Sequence, residues 1–233
     1  MTAQGPVPTG SSALDELLEG GLARGAITQV YGPPAAGKST LAMSTSVATA
    51  VQGCEVLYLD TEGLSIDRLE QIGATAEADL ESVLERIKVS RAHDFDDQAA
   101  RIREAGSMAD DADLIVLDSA TALYRVQQGA EDDEGEALDR LGDQLAYLLS
   151  LARRYDLAVL ITNQVFIDPD EETIRPLGGD TVAHWSETII RLDRFRGGRR
   201  KLTLEKHPSP SEETAMMMEL TDGGFADVDG PTL

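Results

Sequence analysis

One eight-residue string constrains this chain more than any other: Gly32-Pro33-Pro34-Ala35-Ala36-Gly37-Lys38-Ser39. It has the form G-x-x-x-x-G-K-[ST], a loop that cradles the phosphates of a nucleoside triphosphate. Gly32 and Gly37 let the backbone bend until its N–H groups converge. Lys38 reaches the β- and γ-phosphates, and the Ser39 hydroxyl can ligate Mg²⁺. The loop works only between a strand and a helix, and both are foreseen. Ala26-Ile27-Thr28-Gln29-Val30-Tyr31 reads as a buried strand, and Lys38 to about Gln52, rich in Ala, Met and Val, reads as a helix. ATP with Mg²⁺ is the expected ligand pair, with Gly32 through Thr40 as its binding residues.

Around this unit the pattern alternates. Ser11 to Glu19 is a short helix, with Ser11 or Ser12 as its N-cap and Gly20-Gly21 as its stop. Strands are expected at Glu55–Asp60, Arg86–Val89, Asp113–Asp118 and Leu157–Thr162, and helices at Ser65–Gly73, Asp97–Met108 and Glu136–Tyr155. Short apolar strands between helices mean a mostly parallel sheet covered on both faces. After Pro176 four strands follow with short connections, at Glu187–Asp193, Lys201–Lys206, Ala215–Leu220 and Gly224–Val228. They predict an antiparallel C-terminal extension of the same sheet. Met216-Met217-Met218 reads as sheet packing. With no long linker, residues 1–233 are expected to form a single α/β domain.

Three polar residues fall where strands end. Asp118 closes the apolar run Leu114-Ile115-Val116-Leu117, the place for a carboxylate that holds Mg²⁺ beside the loop. The separation of 80 positions from Lys38 to Asp118 leaves room for a further strand unit. Glu62, in Asp60-Thr61-Glu62-Gly63, sits at the strand edge where ligands bind in open α/β sheets. There it is either a general base for water or a solvent-facing turn acid. Gln164 follows the strand ending at Thr162, as a γ-phosphate sensor or as a loop-capping amide.

Composition speaks to solvent. Asp and Glu number 42 against 20 Lys and Arg, a net charge of −22, and only four lysines occur. At molar salt the Debye length falls to about 3 Å and self-repulsion shrinks, so the balance fits a salt-accumulating archaeal cytosol. No apolar stretch approaches the roughly 18 residues of a membrane span. Residues 1–9 lack the pattern of a secretory leader, and the single Cys54 cannot form an internal disulfide. A cytoplasmic, nucleoid-associated protein without membrane contact is expected. Against the acidic background one basic cluster stands out, Arg191, Arg194, Arg196, Arg199, Arg200 and Lys201 around Gly197-Gly198. Either it tracks a nucleic-acid backbone, with Arg194, Arg196, Arg199, Arg200 and Lys201 as the DNA contacts, or its cations pair with nearby acids.

Taken together, these strings resemble the RecA/RadA recombinase superfamily, and within it the short archaeal RadB branch. Thr9-Gly10 through Leu14-Asp15, Gly25-Ala26-Ile27-Thr28, the phosphate loop, Tyr58 to Gly63 and Arg91-Ala92 carry the likeness. So do Asp118-Ser119-Ala120-Thr121-Ala122-Leu123-Tyr124-Arg125, Thr162 to Val165 and Pro176 to His184. The resemblance implies a RecA-like core and weak ATPase activity, with Glu62, Lys38 and Gln164 catalytic, Ser39 and Asp118 on Mg²⁺ and Arg68 on the adenine side. It also implies single-stranded or branched DNA, the recombinase RadA and a Holliday-junction resolvase as partners.

The chain departs from the full recombinases in several places. It starts without a helix-hairpin-helix domain, and no Phe precedes Phe95 to dock on a neighbour, so weaker self-assembly is expected. The stretches matching the two DNA loops, about 126–139 and 165–175, hold Glu131-Asp132-Asp133-Glu134 and Asp168, Asp170, Glu171 and Glu172. Inefficient strand exchange follows. Lys206-His207-Pro208 replaces an acidic ATP cap, which implies altered sharing of ATP between subunits and slow turnover. The leading expectation is a recombination accessory protein. The alternatives are an active strand-exchange recombinase, a KaiC-like signalling ATPase, and a nucleotide-dependent interaction module without turnover.

Overall fold

The computed structural model describes residues 5–128, 134–167, 174–209 and 214–228. After the capped helix α1 (Ser12–Leu17) come β1 (Ile27–Tyr31), α2 (Lys38–Val51), β2 (Val56–Asp60), α3 (Ile66–Gly73), α4 (Leu80–Glu85) and β3 (Ile87–Arg91). Then follow α5 (Phe95–Gly106), β4 (Leu114–Asp118), α6 (Ala122–Gln128), α7 (Glu134–Tyr155) and β5 (Ala158–Asn163). A small hairpin, β6 (Val165–Ile167) and β7 (Ile174–Pro176), precedes α8 (Gly179–Trp185). The chain continues through β8 (Thr188–Arg194), β9 (Arg199–Lys206), β10 (Thr214–Thr221) and β11 (Gly224–Asp227).

Nine strands form one sheet in the order β11-β10-β9-β8-β1-β5-β4-β2-β3. From β3 to β8 every neighbour is parallel, while β9, β10 and β11 add antiparallel. The expected extension is present, but it begins one strand later than anticipated. β8 pairs parallel with β1, Thr28 opposite Thr188, because α8 carries the chain across the sheet. That helix was not foreseen from the sequence. Its opening glycines look like breakers, yet Gly178 occupies the N-cap in a left-handed conformation (φ 75°) that glycine adopts without strain.

The sheet separates two apolar layers, because alternate side chains of a strand point to opposite faces. Val56 and Tyr58, Leu114 and Val116, and Leu160 pack with α2, α3 and α4. Leu57 and Leu59, Ile115 and Leu117, and Val159 and Ile161 pack with α5 and α7. In α7 the spacing Leu141, Leu145, Leu148, Ala152 places four fully buried side chains on one stripe. Met216 and Met218 are buried on β10, as sheet packing requires. No element was expected from the sequence at short α4 or α6. Each has too few apolar positions for its period to show, and α4 is held by the Asp79 N-cap and buried Val83.

With a net charge of −22 over 233 residues, self-repulsion opposes folding at low salt. Unfolding by urea is expected to move to a higher midpoint as KCl rises from about 0.1 M, where the Debye length is ~10 Å, to about 2 M. A midpoint independent of KCl would show that charge repulsion does not limit its stability.

Candidate nucleotide site

Parallel register brings the ends of β1, β2, β4 and β5 to one edge, with Tyr31 beside Asn163 and Asp60 beside Asp118. A cleft of about 550 Å³ opens there, lined by Gly32, Pro34, Ala35, Gly37, Lys38, Ser39 and Thr40 of the loop. Gly37 stands at the N-cap of α2 and offers no side-chain cap. The first-turn N–H groups of that helix are thereby left for an anion. A Cβ on Gly37 would come within 2.8 Å of the Phe225 ring, so the C-terminal hairpin β10–β11 packs directly behind the loop. Pro33 and Ala36 lie outside the lining, and Ala36 is fully buried.

The Lys38 ammonium donates to the carbonyls of Gly32 (2.9 Å) and Pro33 (3.2 Å). Burial lowers its pKa from the ordinary lysine value, and the nearby Glu62 and Asp118 pull it partly back. Phosphate binding would raise it again, so binding takes up a proton wherever the free protein has lost one. ATP affinity is therefore expected to fall as pH rises through the lowered Lys38 pKa, before an ordinary lysine titrates. Isothermal titration across that rise in pH tests this, with Lys38→Arg as the flat control. A wild-type curve equally flat would contradict it.

Asp118 is 3% exposed and fully engaged. One carboxylate oxygen accepts from Ser39 (3.2 Å) and from the Thr162 hydroxyl, the other from Tyr58 (2.7 Å). Burial and then the neighbouring Asp118 charge push the Tyr58 hydroxyl well above its ordinary pKa, so it stays a donor. The Ser39 hydroxyl and the Asp118 carboxylate are hard oxygen donors of the kind Mg²⁺ takes. No group of three or more His, Cys, Asp or Glu among the described residues could hold a metal by itself. The pair fits an ion completed by substrate phosphates and water.

Glu62 and Gln164 meet across the mouth of the cleft, the Gln164 amide donating to a Glu62 carboxylate oxygen. Each is set by its own turn. The Asp60 carboxylate accepts from the N–H groups of Glu62 (3.2 Å) and Gly63 (2.8 Å). Thr121 Oγ1 accepts from the N–H of Gln164 (3.1 Å) while donating to Asn163 (2.6 Å). The three residues expected to be catalytic, Glu62, Lys38 and Gln164, thus line one cavity.

Two arginines of the lining were not expected at the nucleotide cleft, Arg200 having been read only as a DNA contact. Arg125, on α6, is exposed into the cleft, and only the Asp118–Arg125 string hinted at it. Arg200, on β9, donates to the phosphate-loop carbonyls of Ala36 (2.8 Å) and Ala35 (3.4 Å). No local pattern could reveal that contact across 164 residues. Arg68 lies outside the lining. Its guanidinium donates to Thr221 O (2.6 Å), Asp222 O (2.7 Å) and Gln71 (2.6 Å), gripping the β10–β11 turn.

In the basic cluster, Arg191 pairs with Asp193 (2.8 Å). Arg194, Arg196 and Arg199 are exposed, and they and half-buried Lys201 make no ion pair with any described residue. Among the described residues, neutralisation by a neighbouring acid is seen for Arg191. The acids Glu131, Asp132, Asp133, Asp168, Asp170, Glu171 and Glu172 lie outside the described residues. Lys206 donates to Ala183 O (3.0 Å) and Ser186 O (2.6 Å), capping the end of α8, where the rings of His184 and Trp185 meet edge to face.

Known proteins resemble this chain in sequence and in fold. The family model described as Rad51 matches residues 6–228. A protein called "DNA repair and recombination protein RadB" from Halobacterium salinarum is 52% identical over 94% of each chain. One of the same name from Methanoculleus marisnigri is 41% identical, covering 95% of this chain and 98% of its own. A structure titled "Crystal structure of the RadB recombinase" superposes with a TM-score of 0.83 at 36% identity, over 96% of this chain and all of that one.

Proposed function

The chain belongs to the Rad51 family, in its RadB branch, and from that membership we propose that it is an ATP-dependent DNA repair and recombination protein. It acts as a single RecA-like unit with slow ATP hydrolysis. It assists the recombinase RadA, binds single-stranded or branched DNA without efficient strand exchange, and influences how a Holliday-junction resolvase cuts branched DNA. The observation that carries the reading is the pairing of Glu62 with Gln164 over a cleft that Lys38 and Ser39 also line.

The chemistry follows from those positions. Lys38 leaves the Gly32 and Pro33 carbonyls for the β- and γ-phosphates and neutralises charge that grows as the terminal phosphoryl departs. Glu62 accepts the proton of the attacking water. Gln164 orients that water, and its bond to Glu62 changes when a γ-phosphate arrives. Ser39 and Asp118 would hold Mg²⁺, which would supply charge neutralisation at the phosphates. Thr162 and Tyr58 hold the Asp118 carboxylate for this. Thr162→Val is expected to weaken Mg²⁺-dependent nucleotide binding by about tenfold, one charged hydrogen bond, as a titration of MgCl₂ at fixed ATP would read.

The accessory role is tested by the rate at which RadA nucleates on single-stranded DNA in high KCl. Addition of this chain with ATP is expected to shorten the lag. An unchanged lag removes the mediator role.

A further inference from the structure

The β8–β9 hairpin carries an arrangement that the nucleotide site does not need. Phe195, at its tip, is 52% exposed, with Arg194 and Arg196 on either side and Arg199 across the turn. The turn is closed by the Phe195 N–H donating to the Arg199 carbonyl (2.9 Å). Arg194 stands directly opposite Arg200 across the ladder, and like charges so placed destabilise a sheet. Nearby acids do not relieve this. Asp193 is taken by Arg191, and Glu219, opposite Arg199 on β10, makes no ion pair with any described residue. An exposed aromatic ring among unpaired guanidinium groups matches single-stranded nucleic acid, whose bases stack and whose phosphates neutralise. The second observation is Arg200. It donates to Gly198 O (2.8 Å) and Arg199 O (3.0 Å) in the hairpin as well as to Ala36 O and Ala35 O in the phosphate loop. One side chain thus staples the hairpin tip to the loop.

We propose that the β8–β9 hairpin is a single-strand DNA site, with Phe195 as its stacking platform, coupled through Arg200 to the nucleotide cleft. A strand that immobilises the tip stiffens the staple and pre-forms the phosphate loop, so DNA tightens nucleotide binding, and nucleotide tightens DNA by the same factor. The inference rests on the ATP-binding reading above and adds to it the hairpin as the regulatory contact.

Two titrations test it, both in the KCl concentration that keeps the chain folded. In the first, a fluorescent oligo-dT is bound by wild type and by Phe195→Leu, and about a tenfold weakening is expected. Phe195→Trp with Trp185→Phe gives a direct readout, since stacked bases quench the new indole. Affinity within twofold of wild type and an unquenched indole would overturn the stacking site. In the second, the Kd of a non-hydrolysable ATP analogue is measured with and without saturating oligo-dT. Wild type is expected to gain about fivefold or more, and Arg200→Lys, which keeps the charge but not the fork, to lose that gain while retaining a cooperative melt. Equal Kd values in wild type, or a gain that survives in Arg200→Lys, would overturn the coupling alone. A folded wild type that binds no analogue would instead sink the ATP-binding reading and the coupling with it. Loss of self-association in Arg196→Glu/Arg199→Glu, with oligo-dT unbound by wild type, would reassign the hairpin to a contact between copies and overturn the proposal.

Discussion

Glu62→Gln is expected to cut ATP turnover by about 10²- to 10⁴-fold, the usual contribution of a general base. The side chain keeps its size, and its amide oxygen can still accept from Gln164 Nε2 as Glu62 does now. The Asp60 turn that positions it uses backbone N–H groups and is untouched. What disappears is the ability to accept a proton from water. Nucleotide binding is expected to survive, because the groups proposed to meet the phosphates, Lys38 and the first turn of α2, are unchanged. Single-turnover hydrolysis measured beside analogue affinity separates the two effects. Turnover within tenfold of wild type would deny Glu62 the role of base. No product from either protein would favour the interaction module without hydrolysis.

Gly32→Ala is expected to have the second largest effect, on binding and on folding together. A Cβ at Gly32 would stand 2.0 Å from the carbonyl oxygen and 3.1 Å from the carbonyl carbon of Leu192. That is backbone of β8, held between β1 and β9, and it cannot swing aside as a side chain would. The strain of inserting a methyl group into such a contact is about 1–3 kcal/mol, enough to lower the melting temperature by several degrees in a domain of this size. The cheapest relief is to move the phosphate loop away from β8, which spoils the cradle for phosphate. Loss of analogue binding with a lowered melting temperature is the expected pair of readings. Wild-type affinity in a stably folded variant would show that the close approach to Leu192 is not needed.

Legibility differed sharply between parts of the molecule. The phosphate loop, the strands ending at Asp60, Asp118 and Asn163, and the helices α2 and α7 were readable because each is encoded locally. A Gly-rich turn has its own residue pattern, a doubly covered strand is a continuous apolar run, and α7 repeats leucine at helical spacing. The short helices α4, α6 and α8 were not readable. They bury too few residues to show a period, and α8 begins on two glycines. The parallel placement of β8 depended on that unseen helix, so the extension was expected to start one strand too early.

Residue chemistry at fixed spacing pointed to a phosphate loop carrying Lys38 and Ser39 with Asp118 beside it, whereas Glu62 and Gln164 were singled out as working groups only by the family resemblance. The placement of Lys38, Ser39 and Asp118 needs only the loop and the rule that strand ends of a parallel sheet share an edge. Tertiary structure alone decided what holds those groups and what else reaches them. Tyr58 and Thr162 lock Asp118, and Gln164 meets Glu62. Arg68 is drawn to the β10–β11 turn, and Arg200 crosses from a basic hairpin to the carbonyls of the phosphate loop. The reason is physical. A backbone motif is a short-range property of consecutive residues, whereas the partner of a long polar side chain is set by strand order and register, which join residues more than a hundred positions apart.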